Sequence, residues 1–120
     1  MNGLVDESLR ALVDVLVAAD RETPPVPLKA WVDTAFNGSL VVPRSMIESL
    51  GLQQASTTQA ILADGQIADM ETFTCYLYWF GGVYRTQIVA NDGEFALLGT
   101  ILLMGRKITI DYLHRNLEVV

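Results

Sequence analysis

The chain of 120 residues has few of the cysteine and histidine residues from which disulfides and zinc sites are formed. It contains one cysteine, Cys75, and one histidine, His114. A single cysteine cannot form an internal disulfide, and one cysteine with one histidine is too few for a structural zinc site. Disulfide-stabilised and zinc-stabilised folds are therefore excluded, and we expect neither a metal nor any other cofactor.

Positive charge is also scarce. Eight Lys and Arg residues stand against fourteen Asp and Glu residues, which gives a formal net charge of -6 at pH 7. The chain therefore lacks the basic surface that binds a phosphate backbone or an anionic membrane. This balance predicts a protein that binds no nucleic acid.

Long apolar runs are missing as well. The longest stretches, Tyr76–Phe80 and Ala96–Met104, are far shorter than the roughly 20 residues of a membrane-spanning helix, so we expect a soluble chain with no membrane partner. The opening residues Met1–Gly3 do not begin a basic segment followed by an apolar core, as a secretory signal would. A cytoplasmic location is the resulting expectation.

What remains is the composition of a β-rich globular unit. With 51% hydrophobic residues, the chain is predicted to form a single domain over residues 1–120. Glycine and Asn-Gly or Asp-Gly breakers cut it into pieces of about 8 to 15 residues, a spacing that favours strands. Phe73–Phe80 and Val83–Val89, joined across Gly81-Gly82, are predicted to form a hairpin.

A second hairpin and one helix are predicted from local signals. Ile61–Ala63 and Gln66–Ala68 flank Asp64-Gly65, a dipeptide that tolerates the positive φ angles of a tight turn. Ser45–Leu50 has its apolar residues on one helical face, and Gly51 is placed to end this helix in the left-handed conformation.

The N-terminal segment is ambiguous from its residues alone. Five apolar residues recur at helical spacing: Leu9, Leu12, Val13, Leu16 and Val17. The valines at 13, 15 and 17 also alternate as in a strand, and their β-branched side chains lower helix propensity. Local periodicity therefore favours a helix here only by a small margin.

Among the acidic residues, Asp33 is the most interesting. It lies directly after an apolar piece that ends at Val32, and a second apolar piece, Leu40–Pro43, follows a few small and polar residues later. A carboxylate at such a strand-to-loop corner, among apolar neighbours, is a candidate catalytic group. From spacing alone, the simpler interpretation is that Asp33 starts the turn before Asn37-Gly38.

Two motifs together resemble those of aspartic proteases. Val32-Asp33-Thr34-Ala35 resembles their Asp-Thr/Ser-Gly signature. Ala96–Leu103, which contains Leu98-Gly99, is similar to the hydrophobic-hydrophobic-Gly element that follows the catalytic Asp in the single-domain, retroviral-type members. Between them, Leu62-Ala63-Asp64-Gly65 lies where such proteases carry their flap hairpin. The resemblance covers roughly Leu28 to Val120, and it is to the small prokaryotic retropepsin-like group more than to the viral enzymes.

The resemblance implies a mainly β, closed-barrel fold with one short helix after the active-site strand and one near the C-terminus. It also implies peptide hydrolysis by two carboxylates that share one proton, because like charges in close contact cannot both ionise, as holds generally for this enzyme class. One carboxylate is then the general base for a water molecule, and the protonated one polarises the scissile carbonyl. Only Asp33 carries the motif, so the second carboxylate must come from a second copy. The implied working unit is a homodimer that acts on peptide or protein substrates.

The other site residues are assigned by the same resemblance. Thr34 would hydrogen-bond across the two subunits, and Leu98-Gly99 would brace the active-site loop. Asp64-Gly65 would form the tip of a mobile flap that closes over an extended peptide. On their residues alone, these positions are equally compatible with a turn threonine, core packing and an ordinary hairpin.

One residue departs from the signature, because Ala35 stands where the family pattern has glycine. The extra methyl group would crowd the substrate, or strain the loop if the position needs a positive φ. In an ordinary backbone region, alanine costs little. The alternative function is therefore a catalytically weak or inactive protease-like dimer that binds a peptide or a partner protein.

The resemblance also changes the interpretation of both chain ends. It implies strands at the N-terminus instead of a helix, in this order: Val5, a turn over Asp6–Arg10, Ala11–Val17, a loop over Glu22–Pro25, and Val26–Val32. In this fold class the chain ends pair between subunits, so Leu117–Val120 is the expected interface strand.

Two further candidates are set aside. Asp111 and His114 with Ser39 or Ser45 resemble the parts of a hydrolase triad, but the chain has no Gly-x-Ser-x-Gly motif and His114 is interpreted as a surface residue. Cys75 lies in an aromatic strand piece and is predicted to be a buried, unreactive thiol.

Overall fold

The computed structural model describes residues 1–61 and 64–120. These residues form ten strands and two short helices: β1 (Asn2–Val5), β2 (Ala11–Ala18), β3 (Val26–Val32), β4 (Leu40–Pro43), α1 (Arg44–Leu50), β5 (Gln53–Ile61), β6 (Ile67–Trp79), β7 (Gly82–Asn91), β8 (Ala96–Leu98), α2 (Thr100–Leu103), β9 (Ile108–Asp111) and β10 (Asn116–Val119). Neither of these two helices is long and apolar enough to cross a membrane.

Six of the strands close into a barrel. Around the ring the order is β2, β3, β8, β4, β7 and β6, and β6 pairs with β2 to complete the circuit. The β3–β8 and β4–β7 pairings are parallel, and the other four are antiparallel. The buried core lies inside this barrel. The predicted mainly β fold, a closed barrel with two short helices, is confirmed.

The strand β2 shows why the helical spacing at the N-terminus is misleading. Val13, Val15 and Val17 are each no more than 2% exposed, whereas Leu9 and Leu16 are 59% and 42% exposed. Successive side chains of a strand point to opposite faces, so the three valines fill the barrel together. The strands that the resemblance implied at the N-terminus are therefore confirmed, and the helix favoured by periodicity is wrong.

Two predicted local structures are present, one of them with a shift. Trp79 pairs with Gly82, so the two turn residues of the β6–β7 hairpin are Phe80 and Gly81. Their φ angles of 45° and 80° are those of a type I′ turn, one residue earlier than predicted. The predicted helix is α1, and Gly51 ends it with φ 67° and ψ 33° in the left-handed region.

Beyond the barrel the sheet continues from β2 through β1 and β10 to β9. Strand β10 pairs with β1 on one side and with β9 on the other, and its Leu117 and Val119 are buried. The Met1 ammonium group donates a hydrogen bond to the Val119 carbonyl at 2.9 Å. The prediction that Leu117–Val120 pairs with a second subunit is wrong, because both edges of this strand are occupied within its own chain.

Candidate active site

Asp33 directly follows β3, in a turn that fixes its carboxylate. The Asp33 N–H donates to the Leu98 carbonyl at 2.9 Å, and the Phe36 N–H donates to the Asp33 carbonyl at 3.1 Å, which closes a β-turn. The Ala35 N–H donates to Asp33 Oδ1 at 3.0 Å. Within the described residues the carboxylate makes no other hydrogen bond and no ion pair. Asp33 is half-buried, and its second carboxylate oxygen has no hydrogen-bond partner among the described residues.

The loop that carries Asp33 is held from behind by the segment after β8. Leu98 is fully buried, and its carbonyl binds the Asp33 N–H. The Gly99 N–H donates to the Ser39 carbonyl at 2.8 Å, and the Thr100 N–H donates to the Phe36 carbonyl at 2.9 Å. Backbone bonds between two chain segments resist displacement without depending on side-chain identity. Leu98 and Gly99 are therefore bonded through their backbones to the loop that carries Asp33.

Gly99 is required here by space, not by its backbone conformation. Its φ is -96°, which any residue adopts. A Cβ at this position would press on the Gly38 carbonyl oxygen, and it would lie 2.6 Å from Phe36 Cδ2. Only glycine lets the two backbone segments approach each other this closely.

Thr34 and Ala35 are both exposed at the tip of the turn. The Thr34 hydroxyl makes no hydrogen bond among the described residues, so it does not act as a turn threonine bonded to its own backbone. Ala35 has a negative φ, since the non-glycine residues with positive φ in the described ranges are Leu9, Phe80 and Arg115. The methyl group of Ala35 therefore causes no backbone strain, which removes the conformational reason for expecting an inactive protein.

The predicted second hairpin is formed by β5 and β6. Its last described pair is Ile61 with Ile67, and both side chains are largely exposed, at 80% and 67%. In the turn, Asp64 Oδ1 accepts a hydrogen bond from the Gln66 N–H at 3.0 Å, and Gly65 has φ 84°. Leu62-Ala63, also assigned to the flap by the resemblance, lies outside the described residues. Asp64 and Gly65 thus lie at the exposed end of a long hairpin.

An apolar pocket of about 350 Å³ opens beside Asp33. Trp31, Val32, Asp33 and Leu97 line it. Trp31 lies directly beside Leu97 in the β3–β8 pairing, and it is 40% exposed. A concave site lined by apolar side chains with a carboxylate at its edge is typical of a pocket that binds an apolar group.

Arg10 borders the aromatic side of this region. Its guanidinium group lies 4.2 Å from the ring centroid of Phe95 and 5.9 Å from that of Trp31, within the range of cation–π attraction. Arg10 Nε is also 2.7 Å from Asp6 Oδ2. The pKa of Asp6 is lowered, first by the backbone N–H of Arg10 and also by its charge. This pair fixes the guanidinium group over the aromatic rings.

Sequence reasoning did not find Trp31, Leu97, Arg10 or Phe95. For the first two a signal exists: Trp31 is two residues before Asp33 and Leu97 is two before Gly99, so strand alternation puts each on the same face as the site residue. For Arg10 and Phe95 no local signal exists, because their contact joins segments more than 80 residues apart in the sequence.

The two candidates set aside from the sequence do not form a second site. Cys75 is 1% exposed, and burial raises the pKa of its thiol to about 11, so the reactive thiolate form is scarce at neutral pH. His114 is exposed, and its Nδ1 lies 2.7 Å from Asp111 Oδ2 in the turn between β9 and β10. Across the described ranges, no three His, Cys, Asp or Glu side chains are grouped as metal ligands.

The fold is that of retropepsin-like aspartic proteases. A retropepsin-like aspartic protease from Rickettsia conorii is 16% identical and superposes with a TM-score of 0.65, over 98% of this chain and 86% of that one. EIAV protease, complexed with the inhibitor HBY-793, is 19% identical, with a TM-score of 0.59 over 83% of this chain and 90% of that one. No family model and no curated protein matches the sequence. The likeness to the two solved proteases confirms the fold predicted from the two motifs.

Proposed function

We propose that the chain is an aspartic endopeptidase that hydrolyses peptide bonds as a homodimer, with one Asp33 from each subunit. The observation that carries the proposal is the position of Asp33 in a retropepsin-like fold. Its backbone is bound to Leu98, one carboxylate oxygen accepts the Ala35 N–H, and the other has no partner among the described residues, while Asp33 itself lines an apolar pocket. A catalytic carboxylate needs this combination of fixed direction and open access.

The requirement for two subunits follows from the chemistry. One carboxylate cannot be both the base that activates water and the acid that polarises the carbonyl. A two-fold axis beside the Asp33 turn supplies the second group, because each subunit then presents the same turn to the other. The exposed hydroxyl of Thr34, unbonded among the described residues, is available to bond across this axis.

In the proposed reaction, the two Asp33 carboxylates hold one proton and one water molecule between them. The ionised carboxylate accepts a proton from water while the water oxygen bonds to the carbonyl carbon. The protonated carboxyl gives its proton to the carbonyl oxygen, which produces a neutral tetrahedral diol. The carbon–nitrogen bond then breaks as the amine receives a proton and the new carboxyl group forms. No metal and no covalent enzyme intermediate is required.

The substrate is proposed to be an extended peptide bound between the Asp33 turns and the β5–β6 hairpin. Ile61 and Ile67 are exposed near the end of that hairpin and would cover the peptide with apolar surface, which excludes water. The pocket walled by Trp31 and Leu97 adjoins Asp33, so it would hold a side chain next to the scissile bond. Its apolar lining selects a large aliphatic or aromatic residue.

A peptide library tests this proposal. Incubated with the protein from acidic to neutral pH, it should be cleaved at bonds flanked by a large apolar residue, as read by mass spectrometry. Trp31→Ala should lower kcat/KM for the best peptide by about tenfold or more, because it removes one wall of the pocket.

The matched control is Tyr84→Ala, which removes another exposed aromatic side chain from outside the Asp33 pocket and should leave kcat/KM unchanged. Peptides that bind without being cleaved at any pH would instead support the protease-like binding protein. Cleavage with no preference for apolar residues would contradict the assignment of the pocket.

A further inference from the structure

We propose that an apolar surface pocket beside Arg106 binds the carboxy terminus of a peptide whose last residue is large and apolar. The side chain of that residue would fill the pocket, and its α-carboxylate would pair with the Arg106 guanidinium group. The pocket shares no lining residue with the one beside Asp33. This site therefore goes beyond the proposed function and does not depend on it.

The pocket has a volume of about 200 Å³ and lies where the β6–β7 hairpin meets α2 and the segment after it. It is lined by Trp79, Tyr84, Ile101, Leu102, Met104 and Arg106. Ile101 and Met104 are 55% and 78% exposed, so apolar surface is in contact with water here. Pockets for whole small molecules measure about 300 to 1,000 Å³. The smaller volume of this one suits a single large side chain.

The charge at the pocket is positive. Arg106 is the only charged residue among those that line it. Across the part of the chain that the structure describes, its guanidinium group makes no ion pair and no side-chain hydrogen bond. The chain as a whole has a net charge of -6, so a positive apolar pocket differs from its surroundings and favours an anionic ligand. Charge complementarity therefore points to a carboxylate attached to an apolar group.

The Arg106 guanidinium group is held in place by aromatic stacking. Its carbon lies 3.7 Å from the ring centroid of Phe80, and the Phe80 ring packs edge to face on Trp79 with centroids 5.0 Å apart. The backbone is fixed as well, because the Arg106 N–H donates to the Leu103 carbonyl at 2.9 Å. Stacking occupies a face of the planar guanidinium group and leaves the N–H donors at its edge for a carboxylate, which accepts two of them in parallel.

The backbone of Phe80 is consistent with a role in holding Arg106. Phe80 has φ 45°, a left-handed conformation that is costly for a bulky residue. Glycine adopts this conformation without strain. An aromatic residue therefore stands where glycine is favoured, and the contacts it gains are those with Trp79 and Arg106. We assign Phe80 as a positioning residue for the guanidinium group.

A carboxy-terminal residue meets both requirements of the site at once. Its side chain and its α-carboxylate are attached to the same Cα atom, so one residue reaches the pocket and the guanidinium group. Within a peptide, an acidic side chain would belong to a different residue from the apolar one, and a second side chain would have to be ordered. The lower ordering cost favours a peptide end as the occupant.

An NMR titration with short peptides tests the site. N-acetyl-Ala-Phe with a free carboxylate should shift the indole N–H signal of Trp79 until the signal saturates, because Trp79 lines the pocket. The other tryptophan, Trp31, lines the Asp33 pocket, and the Trp31→Phe variant assigns the two signals. A saturable shift of Trp31 alone, or of neither signal, would overturn the proposal.

Three related ligands test the chemistry of the occupant. The same peptide with a carboxamide end should bind at least about tenfold more weakly, because it lacks the charge-assisted bonds to Arg106. N-acetyl-Ala-Ala should also bind at least about tenfold more weakly, because its side chain leaves the pocket unfilled. Hexanoate, an apolar carboxylate that is not a peptide, should bind more weakly than N-acetyl-Ala-Phe. Equal binding of either control peptide, or binding of hexanoate at least as tight, would contradict a peptide end as the occupant.

Two variants identify the group that binds the carboxylate. Arg106→Gln should weaken binding of the free-acid peptide by about tenfold or more and leave the carboxamide peptide unaffected, so that both peptides bind alike. Arg21→Gln is the matched control, since Arg21 also lies over an aromatic ring, that of Tyr76 at 5.1 Å, and does not line this pocket. It should keep the full preference for the free acid.

Arg106→Gln with an undiminished preference for the free-acid peptide would overturn the proposal, as would loss of that preference in Arg21→Gln. None of these experiments measures hydrolysis. Their outcome is therefore distinguishable from failure of the proposed function, which peptide cleavage alone decides.

Discussion

Asp33→Asn is expected to lower the rate of peptide hydrolysis by at least about a hundredfold, the scale of a lost general acid or base. An amide cannot accept a proton from water, and two amides cannot share one. The change should leave the fold intact, because the asparagine oxygen still accepts the Ala35 N–H and Asp33 makes no ion pair among the described residues. Initial rates on a cleaved peptide measure the loss of activity. A thermal melt and a sedimentation measurement check that the variant keeps the stability and the assembly state of the wild-type protein.

Asp92→Asn is the control for this prediction, since it makes the same chemical change at another carboxylate. Asp92 is 88% exposed, and among the described residues its one ion pair is with Arg44 at 3.4 Å, a surface contact of little energetic value. This variant should keep the full hydrolysis rate. Asp33→Asn retaining that rate as well would show that the catalytic group lies elsewhere.

Gly99→Ala is expected to destabilise the protein by about 3 kcal/mol, the upper part of the range for overpacked sites. The new methyl group would meet the Gly38 carbonyl group and the Phe36 ring, and the carbonyl belongs to backbone that is bonded to the segment after β8. A shift of either segment would weaken the bonds that hold the Asp33 loop. We expect the Tm to fall by about 10 °C. The rate of peptide hydrolysis should fall as well.

Gly93→Ala is the matched control, because a Cβ there would meet nothing closer than 3.4 Å and the residue has no positive φ. Its unfolding free energy should change by less than about 0.5 kcal/mol. Chemical denaturation of both variants separates the two cases. If Gly99→Ala proved as stable as Gly93→Ala, the close approach of Gly99 to the Gly38 carbonyl would not be needed for the stability of the fold.

The sequence allowed much of the fold to be predicted, because its strongest signals are local or occur as short motifs. Gly51 ends α1 through its own backbone freedom, and Asp33-Thr34-Ala35 with Leu98-Gly99 indicated two loops that meet in space. Periodicity failed in β2 because helical and strand spacing share Val13 and Val17. What separated them was burial, which depends on the neighbours that β3 and β6 provide.

Other features could not be predicted because they depend on contacts between distant segments. The partners of β10 are strands from the two ends of the chain, and no residue within Leu117–Val120 shows which neighbours it will have. The same holds for Arg10 over Phe95. The turn at Phe80-Gly81 is a smaller case, since the sequence Phe-Gly-Gly permits two placements and the β6–β7 register selects one.

The most direct test of the account is to mix wild-type protein with the Asp33→Asn variant in equal amounts and allow the subunits to exchange. The hydrolysis rate of the mixture is then compared with that of wild-type protein alone at the same total protein concentration. If each active site needs an Asp33 from both subunits, random pairing makes one quarter of the dimers fully wild-type, so the mixture should show about one quarter of the rate of the wild-type sample. A rate of about one half would mean that each chain acts alone and would contradict the shared pair of carboxylates.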